Sequence, residues 1–139
     1  MTIHLAIYTD GGSRGNPGPA AYAVIIVDER GTVVKEFSRF IQTATNNEAE
    51  YRGLIAGLEE ASRLGADEVD IFMDSELVVN QINGKYAIKA SNLIPLAKEV
   101  FSKLRNFKRC SIRHVSRNNP MTSRADMLLN SELDNHTGN

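Results

Sequence analysis

The sequence predicts an α/β fold: a five-stranded mixed sheet, its first three strands antiparallel, with helices on both faces. Three β-type segments come first, and helical and β-type segments then alternate, in the order βββαβααβα. Strands joined by short turns pair antiparallel, whereas strands separated by a helix need a crossover and pair parallel. Crossover helices cover both faces of such a sheet, so a mixed sheet between helices is expected.

The first three strands are expected at residues 3–10, 20–28 and 32–41, which are rich in Val, Ile, Phe and Tyr. The polar segment from Asp28 to Gly31 predicts the turn between the second and third strands. These three strands should form an antiparallel meander.

Helical periodicity begins near Asn47, and Gly65 predicts the end of this first helix. The apolar stripe expected to face the sheet comprises Tyr51, Leu54, Ile55, Leu58 and Ala61. The later elements are expected as a strand at 69–74, a short helix at 75–82, a helix at about 92–105, a strand at 111–115 and a helix from about Ser123. The polar tail, residues 134–139, is expected to be frayed.

The 139 residues suit one domain, residues 1–139. The longest apolar run, Ala20 to Val27, is far shorter than the roughly 20 residues of a membrane span, and no signal-peptide pattern opens the chain, so a cytoplasmic protein is expected. The single Cys110 excludes an internal disulfide and, with no cysteine or histidine nearby at zinc spacing, predicts a small buried side chain.

Charge is distributed unevenly along the chain. Residues 85–124 contain ten basic residues and one acid, Glu99, for a net charge of +9, whereas the remainder carries 6 basic and 16 acidic residues. This uneven charge permits a basic face for a polyanion, although a run of charge is more often a solvated helix face.

Four glycines and two prolines occur in residues 11–19, directly after Asp10. Glycine permits positive φ and lets a ligand approach the main chain closely. Taken alone, this segment fits either a metal- and phosphate-binding loop or a tight turn between strands.

Acidic residues stand at the edges of four predicted elements. Asp10 ends the first strand and Asp74 ends the fourth, so neighbouring central strands would bring these two carboxylates together. Asp126 lies at the start of the last helix. The fourth acid comes from the first helix, where the choice is between Glu48 and Glu50.

Helical phase separates these two glutamates. Glu50 lies on the side of Leu54 and Ala61, which must face the sheet. Glu48 lies on the outer side and is expected to form an exposed i,i+4 pair with Arg52. Glu50 is therefore the candidate site residue.

Structural alternatives exist for two of the acids. Asp74 precedes a short helix and could cap it, and Asp126 lies three residues after Ser123, which is the spacing of a capping box. Glu50 has no such role, because an inward acid is unfavourable unless it meets a partner or a metal.

Four converging carboxylates would repel one another unless a cation offset their charge. Only oxygen donors are present in the set, and His4, His114 and His136 are too scattered to form a cluster. The pattern therefore favours Mg²⁺ or Mn²⁺ over zinc.

Together these segments resemble ribonuclease H type 1, the family that cuts the RNA strand of RNA–DNA hybrids. The matching segments are Thr9 to Gly12 with Gly15 to Gly18, Thr45 to Tyr51, Asp74-Ser75 and Ala125-Asp126. Four segments in this order are far more specific than any one alone. The resemblance covers nearly the whole chain and implies a ribonuclease H-like fold.

The resemblance implies an endoribonuclease that uses two Mg²⁺ ions roughly 4 Å apart and leaves 5′-phosphate and 3′-hydroxyl ends. Its implied catalytic and metal-binding residues are Asp10, Glu50, Asp74 and Asp126, with Asp10 bridging both ions. An RNA–DNA hybrid is the implied partner. No feature indicates an obligate protein partner, so a monomer is the default expectation.

The implied substrate contacts are Gly12, Ser13, Gly15, Asn16, Thr45, Asn46, Asn47 and Asn92. The Gly15-Asn16 turn and the paired asparagines would read 2′-hydroxyls and base edges from the minor groove. Thr45 and Asn92 would hold a phosphate of the DNA strand. At least one asparagine is also expected to cap the first helix.

The sequence departs from many relatives in the loop before the last helix, residues 116–122, which has no histidine. It resembles the short form, in which an arginine takes that place, and this implies Arg117 as a catalytic residue. The stretch from Arg117 to Asp126 is about two residues longer than the usual short form. A long basic insertion is also missing, since only residues 85–90 join the two middle helices, so modest hybrid binding is expected.

Three other functions remain as alternatives. A non-catalytic hybrid-binding module would normally have lost an acid. A resolvase- or integrase-like core usually lacks the Gly-Asn-Pro-Gly and Thr-Asn-Asn segments. A glycine-loop nucleotide-binding protein would need a Gly-Lys-Ser/Thr ending, which residues 11–18 do not contain.

Overall fold

The computed structural model describes residues 1–137, and over this range it confirms the predicted element order. The elements are β1 (His4–Ser13), β2 (Gly18–Val27), β3 (Val33–Ala44), α1 (Asn46–Arg63), β4 (Glu68–Met73), α2 (Glu76–Ile82), α3 (Ile94–Leu104), β5 (Arg109–His114) and α4 (Pro120–Thr137). No helix among the described residues is long and apolar enough to cross a membrane.

The five strands form one mixed sheet in the order β3-β2-β1-β4-β5. β1 pairs antiparallel with β2, and β2 pairs antiparallel with β3. β4 pairs parallel with β1 and with β5. The predicted fold class is confirmed, and β1 and β4 are neighbouring central strands.

One face of the sheet is covered by α1, with α2 and α3 beside it. Leu54 and Leu58 of α1 share a fully buried cluster with Ile7 of β1 and Ile71 of β4, and Val100 of α3 belongs to the same cluster. The predicted apolar stripe of α1 is buried in full. The larger of the two main buried clusters therefore lies on this face.

The opposite face of β1, β2 and β3 is covered by α4. Ala125, Leu129 and Leu133 of this helix pack on small strand residues that include Ala21 and Ala23. On the same face, β4 and β5 carry half-buried and exposed side chains. The sheet is thus covered on one face along most of its width and on the other face along one half.

α1 approaches β1 so closely that a side chain does not fit between them. A Cβ atom added at Gly11 would lie 2.4 Å from both the carbonyl carbon and the oxygen of Ala49, and one added at Gly57 would lie 2.8 Å from Cγ2 of Ile7. Such distances are far below van der Waals contact, so only glycine permits this approach. The contact sets the height of the N-terminal half of α1 above the sheet.

β1 continues to Ser13, where the sequence predicted its end at Asp10. Gly11 and Gly12 stay in the strand because they pair with Tyr22 and Ala21 of β2. The pairing of β1 with β4 stops at Tyr8. Asp10 therefore lies beyond the end of the parallel pairing, although it is within the strand.

α4 begins at Pro120, three residues before the predicted start. Oδ1 of Asn119 accepts hydrogen bonds from the backbone N–H groups of Met121 (3.0 Å) and Thr122 (3.3 Å). An asparagine cap followed by proline at the first helical position is a favourable start. Asp126 consequently lies in the second turn of α4, which excludes the capping-box alternative.

The chain from Asp134 to Thr137 is helical, although a frayed tail was expected from residue 134. Nη2 of Arg14 lies 2.6 Å from Oδ1 of Asp134, and Nη1 of Arg14 lies 3.3 Å from Oγ1 of Thr137. These contacts join the last turn of α4 to the segment after β1. Residues 138 and 139 lie outside the described range.

The prediction that Cys110 is buried was wrong, because this residue is exposed. β5 is an edge strand in which Ile112 alone is buried. A cysteine in a central strand would be covered by helices and neighbouring strands, whereas this edge strand leaves Cys110 in contact with solvent.

The close contact at Gly11 predicts a difference between two neighbouring substitutions. Gly11→Ala should lower the free energy of unfolding by about 2 kcal/mol or more, because the new methyl group meets backbone that must shift. Gly12→Ala is the matched control: its Cβ would have ordinary contacts of 3.4 and 3.5 Å, so a change within about 1 kcal/mol is expected. Urea unfolding measures the free energy of unfolding of both variants. Equal midpoints would contradict the inference that α1 approaches Gly11 too closely for a side chain.

Candidate metal centre

Three carboxylates from three elements meet at one end of the sheet. Asp10 comes from β1, Glu50 from the N-terminal part of α1, and Asp74 directly follows the last residue of β4. Each offers an oxygen atom that lies within 4.8 Å of those of the other two. The predicted side-by-side position of Asp10 and Asp74 is confirmed, since both follow the last paired residues of neighbouring parallel strands.

Glu50 points inward, as the helical phase predicts, and is only 6% exposed. Its Oε1 accepts a hydrogen bond of 2.9 Å from the backbone N–H of Gly11. Burial raises the pKa of this carboxyl well above its usual range, and the charges of Asp10 and Asp74 raise it further. The close approach of α1 to β1 is what allows this hydrogen bond.

Asp10 is also only 6% exposed. Burial, together with the charges of Asp74 and Asp126 and a hydrogen bond to the Asp126 side chain, raises the pKa of Asp10 to about 8. A hydrogen bond between two carboxyl groups requires a shared proton. Asp10 thus has unfavourable interactions with neighbouring negative charges when it is ionised.

Asp126 joins the other three acids from the opposite side of the sheet. It is exposed on the second turn of α4 and lines the same cleft as Asp10, Glu50 and Asp74. The capping alternative for Asp74 is also excluded, because Oγ of Ser75 accepts from the N–H of Val78 at 3.3 Å and caps α2. The structure therefore brings all four predicted acids to one cleft.

The cleft has a volume of about 400 Å³. Apart from the acids and neighbouring backbone, its lining includes Arg14, Asn46, Arg117 and Asn130. Arg117 is exposed, and it has no ion pair within residues 1–137. Its loop is tied to α4 by a hydrogen bond of 2.9 Å from Oγ of Ser123 to the carbonyl oxygen of Arg117.

The turn after β1 contacts the start of α1 through asparagine side chains. Oδ1 of Asn16 accepts from the N–H of Asn46 at 3.0 Å, and Oδ1 of Asn46 accepts from the N–H of Ser13 at 3.3 Å. Gly15 has φ of +111°, which favours glycine at this position. These contacts bring the Ser13–Asn16 turn and Asn46 together at the rim of the cleft, while Gly12, Ser13 and Asn46 line it directly.

The cap of α1 differs from the prediction in two respects. Thr45, not an asparagine, is the N-cap: its Oγ1 accepts from the N–H of Glu48 at 3.1 Å. Glu48 completes a capping box through Oε1, which accepts from the N–H of Thr45 at 2.7 Å, and this bond is the main cause of its lowered pKa. Glu48 therefore serves the helix start instead of a surface pair with Arg52. The charge of Arg52 is the smallest of the influences on the Glu48 pKa.

Two other predicted substrate residues lie near this helix start. The side chain of Asn92 lies close enough to Glu48 to help lower the pKa of that carboxyl, which places Asn92 beside the N-terminus of α1. Asn47 is half-buried in the first turn. Neither residue lines the acidic cleft, so this group occupies a separate position next to the Asn16–Asn46 contact.

Arg14 is a residue that the sequence did not single out. It lines the cleft and binds Asp134 near the end of α4, and its Nη2 also lies 3.4 Å from the carbonyl oxygen of Asn130. An arginine in a glycine-rich segment carries no signal for partners more than a hundred residues away. The contact is visible only in the folded chain.

The chemistry of the cluster fits a hard divalent cation. Three carboxylates converge, two of them are buried, and within residues 1–137 neither Asp10, Glu50, Asp74 nor Asp126 has an ion pair with a basic side chain. Mg²⁺ and Mn²⁺ prefer such oxygen donors. A cation would offset the repulsion that raises the pKa values of Asp10 and Glu50.

Comparisons with known proteins agree with this arrangement. Residues 8–130 match the family described as reverse transcriptase-like. The chain is 42% identical over 127 residues to ribonuclease HI of Halobacterium salinarum, covering 91% of this chain and 63% of that protein. It is 44% identical over 133 residues to the bifunctional protein Rv2228c of Mycobacterium tuberculosis, covering 95% of this chain but 36% of that protein. The chain thus spans roughly one third of the mycobacterial relative and less than two thirds of the archaeal one.

Solved structures superpose closely. The N-terminal RNase H domain of Rv2228c has a TM-score of 0.93 at 40% identity, with 99% of this chain and 98% of that chain covered. RNase H1 of Halobacterium salinarum has a TM-score of 0.90 at 39% identity, covering 95% and 98%. LC11-RNase H1, solved in complex with an RNA/DNA hybrid, has a TM-score of 0.87 at 40% identity, covering 96% and 99%.

The raised pKa of Asp10 predicts how the stability of the metal-free protein changes with pH. The folded-state pKa of about 8 lies above the ordinary aspartate pKa of 3.8, so Asp10 favours folding most below about pH 4 and loses this contribution as pH rises toward 8. In chelator, the free energy of unfolding of the parent protein should fall between about pH 6 and pH 8. The fall should be steeper than that of Asp10→Asn by at most about 1.4 kcal/mol per pH unit.

Thermal unfolding in chelator at several pH values measures this difference. Glu76→Gln is the control, since it removes an exposed carboxylate of α2 and should keep the pH dependence of the parent protein. Added Mg²⁺ should stabilise the parent protein more at pH 8 than at pH 6, because bound metal competes with protons. An identical pH dependence of stability for the parent protein and Asp10→Asn would contradict the raised pKa of Asp10.

Proposed function

The chain belongs to the ribonuclease H type 1 family, and from this we propose that it is an endoribonuclease that hydrolyses the RNA strand of RNA–DNA hybrids. The single observation that supports this most is the convergence of Asp10, Glu50 and Asp74 within 4.8 Å, with Asp126 in the same cleft and close enough to raise the pKa of Asp10. We propose that the products carry 5′-phosphate and 3′-hydroxyl ends.

In this proposal Mg²⁺, or Mn²⁺, is held by Asp10, Glu50, Asp74 and Asp126. Two such ions, when bound, supply an activated water and stabilise the charge that develops on the leaving 3′ oxygen. Asp10 is the residue suited to contact both ions, because its carboxyl group interacts with Asp74 on one side and Asp126 on the other. The hydrogen bond from Gly11 N–H fixes the orientation of the Glu50 carboxylate before any ion binds.

The RNA strand would be read by the rim beside the acids, formed by Gly12, Ser13, Gly15, Asn16, Asn46 and Asn47. The hydrogen bond between Asn16 and Asn46 gives this rim a fixed shape. Backbone and amide groups there can donate to and accept from 2′-hydroxyls in the minor groove of the hybrid, which distinguishes RNA from DNA. Recognition would depend on the shape of the hybrid and not on its base sequence.

A phosphate of the DNA strand would bind at the start of α1, between Thr45 and Asn92. The Thr45 hydroxyl accepts from the N–H of Glu48 and retains its own proton to donate. The N-terminus of a helix attracts anions through its dipole. Asn92 lies close enough to contribute its side-chain amide, since it contacts Glu48.

Arg117 would act at the same centre from the loop before α4. Its guanidinium lines the acidic cleft and has no ion pair within the described residues. A fixed positive charge at this position would attract the RNA phosphates and stabilise negative charge on the reacting phosphate. The cytoplasmic location, the monomeric state and the single-domain organisation of residues 1–139 enter this proposal from the sequence alone.

Cleavage of a labelled RNA–DNA duplex tests the proposal. Product should form with Mg²⁺, disappear with chelator, and fall by about 100-fold or more in Asp10→Asn and Asp74→Asn, because a metal ligand is lost. Glu76→Gln is the control, since this exposed acid lies two residues from Asp74 and outside the cleft.

Full activity of Asp10→Asn would contradict the proposal. Saturable hybrid binding without product in Mg²⁺ or Mn²⁺ would identify a non-catalytic binding module instead. Cleavage of duplex DNA alone would identify another nuclease of this fold.

The role of Arg117 predicts a separate kinetic effect. Arg117→Ala should lower kcat by about 10-fold or more, because a preorganised positive charge at the reacting phosphate is removed. Arg117→Lys should recover part of the loss, and Asn118→Ala, at the neighbouring exposed position, should change kcat little. A purely structural role would instead change the urea midpoint of Arg117→Ala without a specific loss of kcat.

A further inference from the structure

Beside the acids, the sheet presents a face that α4 does not fill. Strand register arranges the side chains of this face in three rows across β1, β4 and β5: His4 with Glu68 and Arg109, then Ala6 with Asp70 and Ser111, and last Tyr8 with Phe72 and Arg113. Asp10 and Asp74 each lie two residues beyond this third row. Successive same-face positions on a strand are about 7 Å apart, so the third row directly adjoins the metal centre.

The third row contains a stacked aromatic pair. The rings of Tyr8 and Phe72 have centroids 4.9 Å apart and an interplanar angle of 22°. Tyr8 packs against the small cluster under α4, whereas Phe72 belongs to no buried cluster and is half-buried. Phe72 thus extends an aromatic surface from the edge of α4 toward open solvent.

Positive charge flanks this aromatic pair. Arg113 is exposed in register with Phe72, and Arg117 lies in the loop that follows β5. Neither guanidinium has an ion pair within the described part of the chain. The charged groups without an ion pair on the β5 side of the aromatic rings are therefore these two guanidinium groups.

The acids further along the face already have partners. Nε2 of His4 lies 2.6 Å from Oδ2 of Asp70, and its Nδ1 lies 3.1 Å from Oε1 of Glu68. Arg109 lies 3.5 Å from oxygens of both carboxylates. Arg109, together with His4 when it is protonated, offsets the charge of Glu68 and Asp70 and so reduces the repulsion of a polyanion by this face.

A groove adjoins the metal centre on the side of the loop that follows β5. Its volume is about 260 Å³, and its lining comprises Asp74, Arg117, Asn118, Ser123, Asp126 and Met127. Asp74, Arg117 and Asp126 also line the acidic cleft. A strand that leaves the acids through this groove therefore passes Arg117 and Asp74, and Phe72 lies two residues before Asp74 on β4.

We propose that Tyr8, Phe72 and Arg113 form a binding surface for single-stranded RNA that continues, unpaired, from the hybrid past the metal centre. This rests on the proposed function, because the RNA strand is the one held at the acids. Half-buried aromatic rings beside unpaired arginines match unpaired nucleic acid, whose bases stack on the rings while its phosphates meet the cations. A duplex keeps its bases stacked internally and offers no free base to Phe72.

Hybrids with and without a short unpaired oligouridine extension of the RNA test the surface. Fluorescence anisotropy in chelator measures Kd for a blunt hybrid, for the 5′-extended form and for the 3′-extended form. One extension should tighten binding by about five-fold or more, the effect of stacking a single base. Phe72→Leu keeps an apolar side chain but removes the ring, so this ratio should fall toward one, whereas Phe72→Tyr should keep it.

Arg113→Ala should also lower the ratio and reduce the salt dependence of log Kd for the extended hybrid by roughly 0.7 to 1, the effect of one lost phosphate contact. Arg30→Ala, at an exposed arginine in the turn between β2 and β3, is the matched control and should keep both values. Urea midpoints verify that each variant is folded.

Equal affinity for blunt and extended hybrids would overturn the proposal, as would an unchanged ratio in both Phe72→Leu and Arg113→Ala. An equal loss of affinity for all three hybrids would also overturn it, because the surface would then bind the duplex. Failure of the proposed function is distinguishable, since it appears as no cleavage of the blunt hybrid with Mg²⁺, while the Kd ratio is measured without metal.

Discussion

The direct backbone contact between α1 and β1 at Gly11 is the constraint on which the rest of the site depends. It exists because Gly11 has no side chain to separate the strand from the carbonyl group of Ala49. At this distance the N–H of Gly11 reaches Glu50, which holds a buried carboxylate beside Asp10. The same contact fixes the start of α1, and thereby the Thr45 cap and the contact between Asn46 and Asn16.

The acids of the centre arrive from both sides of the sheet. Glu50 comes with α1 on one face, Asp126 comes with α4 on the other, and Asp10 and Asp74 come from the strands between them. Their mutual repulsion and burial are unfavourable in the absence of a cation, and the raised pKa values of Asp10 and Glu50 express this. Packing of the surrounding core holds together groups that would otherwise separate. The centre is therefore preorganised for metal at some expense of stability.

Local patterns predicted much of this arrangement, and long-range contacts account for what they missed. Element order, the buried stripe of α1 and the inward phase of Glu50 follow from periodicity, which acts over a few residues. The end of β1 was misplaced because two glycines suggested a turn, whereas both pair with β2, and the approach of α1 requires a glycine at position 11. The helical tail depends on Arg14, which lies far away in the sequence, and the start of α4 depends on the Asn119 cap. Exposure of Cys110 follows from the edge position of β5, which composition does not reveal.

The alternation of side chains along β1 has a consequence for substitutions in this strand. Odd-numbered positions such as Leu5, Ile7 and Gly11 face α1, where substitutions change folding. Even-numbered positions such as Tyr8 and Asp10 face the opposite side, toward the cleft and the open part of the sheet. A change at Tyr8 therefore alters the open face without entering the core under α1. A change at Gly11 alters both the packing of α1 and, through the hydrogen bond to Glu50, the acidic cleft on the other side of the strand.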